Sequence, residues 1–218
     1  STENLQAGRN ADLVVLAVKP QDMADAARAI GGEIAARRPI VVSIAAGIRL
    51  ANLGAWLGAG VPLVRTMPNR PALIGAGITG ACAGALVGPA ERVAVESVLT
   101  AVGPLVWLED EALLDVVTAL SGSGPAYFFL LIEALEDAGV SLGLPRATAR
   151  QLAVHTALGA GRMAAEGDVP PATLREQVTS KGGTTAAALA VLEQADLRGI
   201  FAAAVTAAAR RSAELADQ

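Results

Sequence analysis

The sequence predicts an α/β half followed by an all-helical half. Up to about residue 110, short continuous apolar runs alternate with helical patterns. Beyond it, helical patterns follow one another with no strand between them. The change is punctuated by L-S-G-S-G-P-A-Y, Leu120 to Tyr127, where Gly relieves backbone sterics and Pro fixes its own φ. By residue type alone, this stretch reads equally as a turn between two domains or as a row of small groups and free N–H groups facing a site.

In the first half, L-V-V-L-A-V at 13–18 has the continuous apolar character of a parallel strand buried on both faces. Lys19-Pro20 ends it, because Pro cannot continue a central strand, and a helix follows over 21–34. A second buried strand, I-V-V-S-I at 40–44, is broken by Ala45-Ala46-Gly47. A helix over 50–57 leads to P-L-V-R-T at 62–66 and the turn Met67-Pro68-Asn69. Strand-like residues return around Ile78, and a helix over 89–102 leads to P-L-V-W-L at 104–108. The uncharged stretch 71–90 has repeated Gly and flanking Pro, which suit a buried strand with turns better than a membrane helix.

This alternation predicts βαβ units in a doubly wound sheet with right-handed crossovers. Ligands on such sheets bind beyond the carboxyl ends of the strands. Those ends, V-K-P, A-A-G and M-P-N, carry short side chains or turn residues that let a ligand approach the backbone. A dinucleotide-binding sheet normally opens with a strand, a G-x-G-x-x-G turn and a helix N-terminus. Such a unit needs ~30 residues, and only twelve stand before Leu13. The α/β half is therefore expected to lack its first β-α unit, and the chain as given to bind nicotinamide cofactors weakly.

In the second half, Pro145 opens a helix from Arg146 toward Glu166, and Pro170-Pro171 opens another over 172–178. The last runs over 197–215, rich in Ala and nearly uncharged in its middle. The informative stretch is T-S-K-G-G-T-T, Thr179 to Thr185, ahead of A-A-A-L-A-V-L. Two glycines let the backbone curl, and Thr184 or Thr185 has the side chain of a helix cap. N–H groups at that helix start, beside Lys181, suit a carboxylate. A helix cap with nothing bound explains the same residues.

Composition excludes several classes. The chain has 218 residues, 53% of them hydrophobic and 17% charged, enough apolar material for a core and enough charge for solubility. A net charge of -4 with no basic run argues against nucleic acid or an anionic membrane as partner. Only 3% of residues are aromatic, so the core must be aliphatic and Ala-rich, which favours closely approaching helices. The one cysteine, Cys82, suits a reducing compartment and reads as a small buried hydrophobe. His155 has no Cys, His or acidic partner at ligand spacing, so no metal site is expected. No Ser-His-Asp or Cys-His arrangement supports a hydrolase.

Taken together, A-V-K-P (17–20), A-A-G (45–47), V-R-T-M-P-N (64–69), L-S-G-S-G-P-A-Y and T-S-K-G-G-T-T closely resemble pyrroline-5-carboxylate reductase. Their order and spacing match over nearly the whole chain. The resemblance implies a Rossmann-like domain over 1–109, lacking its first β-α unit, and an all-α dimerisation and substrate domain over 110–218. It implies reduction of a cyclic imine by NADPH or NADH, the final step of proline synthesis, in a cytoplasmic homodimer or larger oligomer. The active site would lie between one subunit's nucleotide domain and the helices of the dimer. By position, Asn4, Ala17, Val18, Lys19, Pro20, Ala45, Ala46 and Asn69 would hold the cofactor. Gly182, Gly183, Thr184 and Thr185 would hold the substrate carboxylate, with the Thr185 hydroxyl catalytic at the ring nitrogen. Asp168 and Ser121 would complete the substrate site. Many relatives have Pro where Lys181 stands. Two alternatives remain: a catalytically impaired, truncated helical dimer of the same family, or another imine or hydroxy-acid reductase with the same plan.

Overall fold

Residues 10–216 are described in this computed structural model. Five strands form one sheet in the order β1 (Leu13–Leu16), β2 (Ile40–Ser43), β3 (Leu63–Pro68), β4 (Thr79–Ala83), β5 (Leu105–Leu108). β1, β2 and β3 are mutually parallel, with Val14 opposite Val41 and Val42 opposite Val64. α1 (Pro20–Arg37) follows β1 and α2 (Leu50–Leu57) follows β2, as expected for βαβ units.

Beyond β3 the expectation of uniform crossovers fails. β4 runs antiparallel to β3, pairing Met67 with Gly80 and Pro68 with Thr79, and only β5 is again parallel to its neighbour β4. The connection is a short 3₁₀ turn, Arg70–Ile74, too brief for the crossover that a parallel return requires. Met67 and Pro68 consequently belong to the strand and not to a turn. Asn69 makes the corner, its Oδ1 accepting the Ile78 N–H at 3.0 Å. α3 (Pro89–Leu99) then precedes β5, its first turn fixed by Glu91 Oε2 accepting the Gly88 N–H.

Alternation along the strands divides the core between the two faces. On one face Leu16, Val41 and Leu63 pack with Met23, Ile30 and Ile34 of α1 and Leu53 and Leu57 of α2. On the other, Val42, Val64 and Ala81 pack with Val95 and Leu99 of α3. β1 was expected to be buried on both faces, yet Val15 is 40% exposed. β1 stands at the sheet edge, and both helices packed on its neighbourhood cover the face that carries Leu16. Cys82 is buried, as its surroundings in the sequence suggested.

The L-S-G-S-G-P-A-Y stretch does not break the chain path. α4 (Leu113–Val117) passes through a wider π turn, Thr118–Gly122, into α5 (Gly124–Ser141), with the Ser123 N–H donating to the Thr118 carbonyl at 2.8 Å. Pro125 is tolerated because it sits in the first turn of α5. α6 (Arg146–Glu166), α7 (Pro171–Gln177), α8 (Thr184–Gln194) and α9 (Leu197–Ala216) complete the described chain. Two compact units result: Ala126–Ala204, and a sheet-containing unit that the chain leaves at Pro125 and re-enters at Val205.

In the helical unit the small residues do what the composition implied. A methyl group built on Gly139 of α5 would stand 3.2 Å from Ala149 Cβ of α6, so the two helices approach closely there. Glu136 of α5 is buried and pairs with Arg146 at 2.8 Å and Arg150 at 2.8 Å. Hydrogen bonds from Arg150 and then Arg146 hold its carboxyl below the usual range. Much of the apolar surface is left uncovered: Phe128, Phe129, Leu130 and Leu131 of α5 are each at least 48% exposed. By length and composition the run Leu113–Ser141 is apolar enough to cross a membrane. Contiguous exposed apolar residues of this kind mark contact surfaces.

Candidate active site

The carboxyl ends of β1 and β2 open a cavity of about 500 Å³ in the sheet-containing unit. Pro20, Gln21, Ala46, Gly47 and Ile48 line it from the strand side. After β1, Lys19 takes an extended conformation as the N-cap of α1 without a side-chain capping bond, so the first N–H groups of that helix begin at the strand edge. After β2, the Ala45 N–H donates to Ser43 Oγ at 3.3 Å. Gly47 then turns the chain with φ of 75°, a conformation that L side chains rarely adopt. The opposite wall consists of Thr118 at the start of the π turn, Ser123 just after it, and Ala208, Arg211, Ser212 and Leu215 of α9. π turns recur at functional sites because they re-aim side chains within a helix. Within this one, Ser121 Oγ is buried with no hydrogen-bond partner among the described residues.

A buried charge network meets the cavity lining at Ser212. Arg65 on β3 is 2% exposed and bonds Glu111 Oε1 at 3.1 Å, while its other terminal nitrogen stands 3.6 Å from Asp115 Oδ1. Glu111 also accepts the Leu50 N–H at the start of α2, at 2.8 Å. Asp115 accepts the Ser212 hydroxyl of α9, at 2.8 Å. Sequence reasoning missed these residues. Their signal was the single charge inside the apolar run P-L-V-R-T, since a charged residue in a buried strand demands a partner.

The second candidate site lies in the helical unit. The Gly183 N–H donates to the Ser180 carbonyl at 3.1 Å, and Gly182 turns the chain with φ of 72°. Gly183, and neither threonine, is the N-cap of α8, and no side chain caps that helix. Thr184 and Thr185 occupy its first turn, so the expectation that one of them caps it is corrected. The N–H groups of that turn have no intrahelical acceptor, and the helix dipole favours an anion there. Thr184 is exposed and Thr185 partly so.

Other expected site residues are distributed between these two places. Ala17 and Lys19 are exposed at the β1 edge, Val18 packs partly onto the core, and Ala45 is buried after β2. Asn69 is at the β3–β4 corner. Asp168 is exposed between α6 and α7. Asn4 lies outside the described residues. Among the described residues, no group of three or more His, Cys, Asp or Glu is arranged to hold a metal. Cys82 is a poor nucleophile, because burial, then the Glu111 charge, push its thiol up.

Residues 111–215 match the family described as pyrroline-5-carboxylate reductase dimerisation, and residues 1–47 match NADP oxidoreductase coenzyme F420-dependent. The chain is 49% identical over 215 residues to the pyrroline-5-carboxylate reductase of Pseudomonas aeruginosa, covering 99% of this chain and 78% of that protein. This chain belongs to the pyrroline-5-carboxylate reductase family. The reductase of Synechocystis sp. is 43% identical over 218 residues, covering 99% of this chain and 79% of that one. Among solved structures, a pyrroline-5-carboxylate reductase from Coxiella burnetii superposes with a TM-score of 0.96 at 42% identity, over 99% of this chain and 80% of that one. The Plasmodium falciparum enzyme with NADP bound gives 0.87 at 31% identity, over 99% and 81%. This member of the pyrroline-5-carboxylate reductase family therefore combines an N-terminal Rossmann-like α/β domain with a helical dimerisation domain. α5 falls wholly inside the matched dimerisation region.

Proposed function

We propose that this chain reduces pyrroline-5-carboxylate to proline with NADPH or NADH. The observation that carries the reading is the start of α8: two glycines and two threonines at a helix N-terminus that no side chain caps. Thr184 and Thr185 would hold the substrate carboxylate through backbone N–H groups, in a turn shaped by Gly182 and by Gly183, whose own N–H is taken by the Ser180 carbonyl, and the Thr185 hydroxyl would orient the ring nitrogen. Asp168 would offer an acid near the same nitrogen.

The cavity at the strand ends fits a flat, largely apolar ring system. Its strand-side lining is Pro20, Gln21, Ala46, Gly47 and Ile48. Ala17, Val18, Lys19, Pro20, Ala45, Ala46 and Asn69 would hold the nicotinamide cofactor, with Asn4 toward its adenosine end. When bound, the cofactor supplies a hydride to the imine carbon. A protonated imine is already electrophilic, so the protein's contribution is alignment more than strong acid catalysis. A site of glycines, hydroxyls and N–H groups without a carboxylate pair suits that task. The nucleotide-binding part would be 1–109 and the dimerisation and substrate part 110–218, in a cytoplasmic homodimer or larger oligomer.

The test is steady-state reduction of pyrroline-5-carboxylate by the full-length enzyme and two variants, with oligomeric state checked alongside. A hydrogen bond to a charged group contributes ~1.5–3 kcal/mol, so Thr185→Ala is expected to lower kcat/KM by roughly one to two orders of magnitude. Gly183→Val is expected to be more severe. Its Cβ would meet Ser180 Oγ and lie 3.3 Å from the Ser180 carbonyl oxygen, displacing the turn that aims the N–H groups. Unchanged kinetics in both would reduce the stretch to a helix start with nothing bound.

A further inference from the structure

The last turns of α9 form one wall of the strand-edge cavity, through Ala208, Arg211, Ser212 and Leu215. Of these, Ser212 is buried, and its hydroxyl is spent on Asp115 at 2.8 Å instead of facing a ligand. Asp115 is fixed in turn. It is buried on α4, one turn before the π turn that carries Thr118 into the cavity lining, and Arg65 holds it from β3. Closure is completed at Gly47, where a methyl group would stand 3.7 Å from the Leu215 carbonyl, so backbone meets backbone with no side chain between.

We infer that Asp115, held by Arg65, is a positioning residue that seats Ser212 and thereby sets the α9 wall of the cavity. The inference rests on the reading of that cavity as the nicotinamide site. A buried hydroxyl-to-carboxylate bond is directional and charge-assisted, which fixes a helix's rotation and height more tightly than apolar contact does. Arg65 serves two further ends at once. It neutralises Asp115, and through Glu111 and the Leu50 N–H it ties the same point to the start of α2, directly after the Gly47 turn. One cation thus references both walls, the strand-end turn and the α9 turn, to β3.

The experiment uses the full-length enzyme with Ser212→Ala, Ser212→Thr and Asp115→Asn. Trp107→Phe is the comparison, because it loses a side-chain hydrogen bond to Glu96, of 2.6 Å, away from the cavity. Steady-state kinetics with pyrroline-5-carboxylate and melting temperature are read for each. The expected result is that Ser212→Ala and Asp115→Asn lower kcat/KM by about tenfold, the scale of one charge-assisted hydrogen bond. Ser212→Thr should restore most of it, and Trp107→Phe should lose comparable thermal stability with unchanged kinetics. If Ser212→Ala and Asp115→Asn melt lower yet keep wild-type kinetics, the network is structural only and the inference is overturned while the proposed activity stands. If the wild-type enzyme itself does not reduce the imine, the activity reading fails, and the inference with it.

Discussion

Replacing Arg65 by Met isolates what a single buried cation does for this fold. Met approximates the length of the Arg stem and leaves the strand packing filled, so the perturbation is mainly electrostatic. Two carboxylates then face each other without their shared partner. Their exposures differ: the Glu111 side chain is 27% accessible and keeps the Leu50 N–H, whereas that of Asp115 is 10% accessible and keeps the Ser212 hydroxyl. Removing one member of a buried pair costs about 3–5 kcal/mol. Because water still reaches Glu111, the lower end applies, about 3 kcal/mol. For a chain of this size each kcal/mol moves Tm by about 2–4 °C, so a drop of roughly 6–12 °C is expected. Calorimetric melting of the full-length enzyme is the assay, at one fixed protein concentration because an oligomer's melting point depends on it. Arg65→Met/Asp115→Asn should recover part of the loss, since it removes one of the two stranded charges. A shift below 2 °C in the single variant, or no recovery in the double, would refute the reasoning.

Other outcomes follow from separate parts of the molecule. Glu136→Gln should lower Tm at neutral pH but match the wild type in acid. The Glu136 carboxyl is held below its ordinary range by Arg150 and Arg146, so its contribution is present above about pH 4.3 and is lost as pH falls through the folded value. Melting curves of both proteins from pH 7 to pH 3 check this, and a gap that persists in acid would contradict it. Gly80→Ala should destabilise by about 1–3 kcal/mol through overpacking, because its methyl group would stand 2.8 Å from Val117 Cγ1. Val117→Ala in the same chain should recover most of that in a double-mutant cycle by urea denaturation. The exposed α5 face is expected to be covered by a second copy, so light scattering at micromolar concentration should give at least a dimer, and Phe128→Asp/Phe129→Asp should shift it toward monomer.

Much of the architecture was legible because apolar periodicity and Pro and Gly placement are local signals. The strands at 13–16, 40–43 and 105–108 and the helices opened by Pro145 and Pro171 appear where those signals put them. The reversal of β4 was not legible. T-G-A-C-A carries no mark of strand direction, which is decided by the shortness of the Arg70–Ile74 link and by pairing with Met67 and Pro68. Val15 shows the same limit in another form. A continuous apolar run signals burial on two faces, but whether a helix covers the second face is a property of the whole fold. At the candidate site, the glycines and hydroxyls of 179–185 announced a helix start, yet which residue would be its N-cap depended on the Gly182 turn. The Arg65, Asp115 and Ser212 set was hardest to foresee, because Asp115 and Ser212 lie 97 residues apart and nothing in either neighbourhood names the other.

That separation bears on how the protein is made. The sheet-containing unit is interrupted by Ala126–Ala204, so its α9 turns leave the ribosome after an entire helical unit has already emerged. Domains generally fold as units, N-terminal first, during synthesis. Here the strands can assemble early, but Asp115 has no Ser212 and Gly47 no α9 backbone beside it until the final stretch arrives. The nascent sheet must therefore wait, with the cavity open on one side and the Arg65 network incomplete, while the apolar face of α5 is already on offer to another chain. Order of synthesis thus places the helical unit's folding ahead of the closing of the strand-edge cavity.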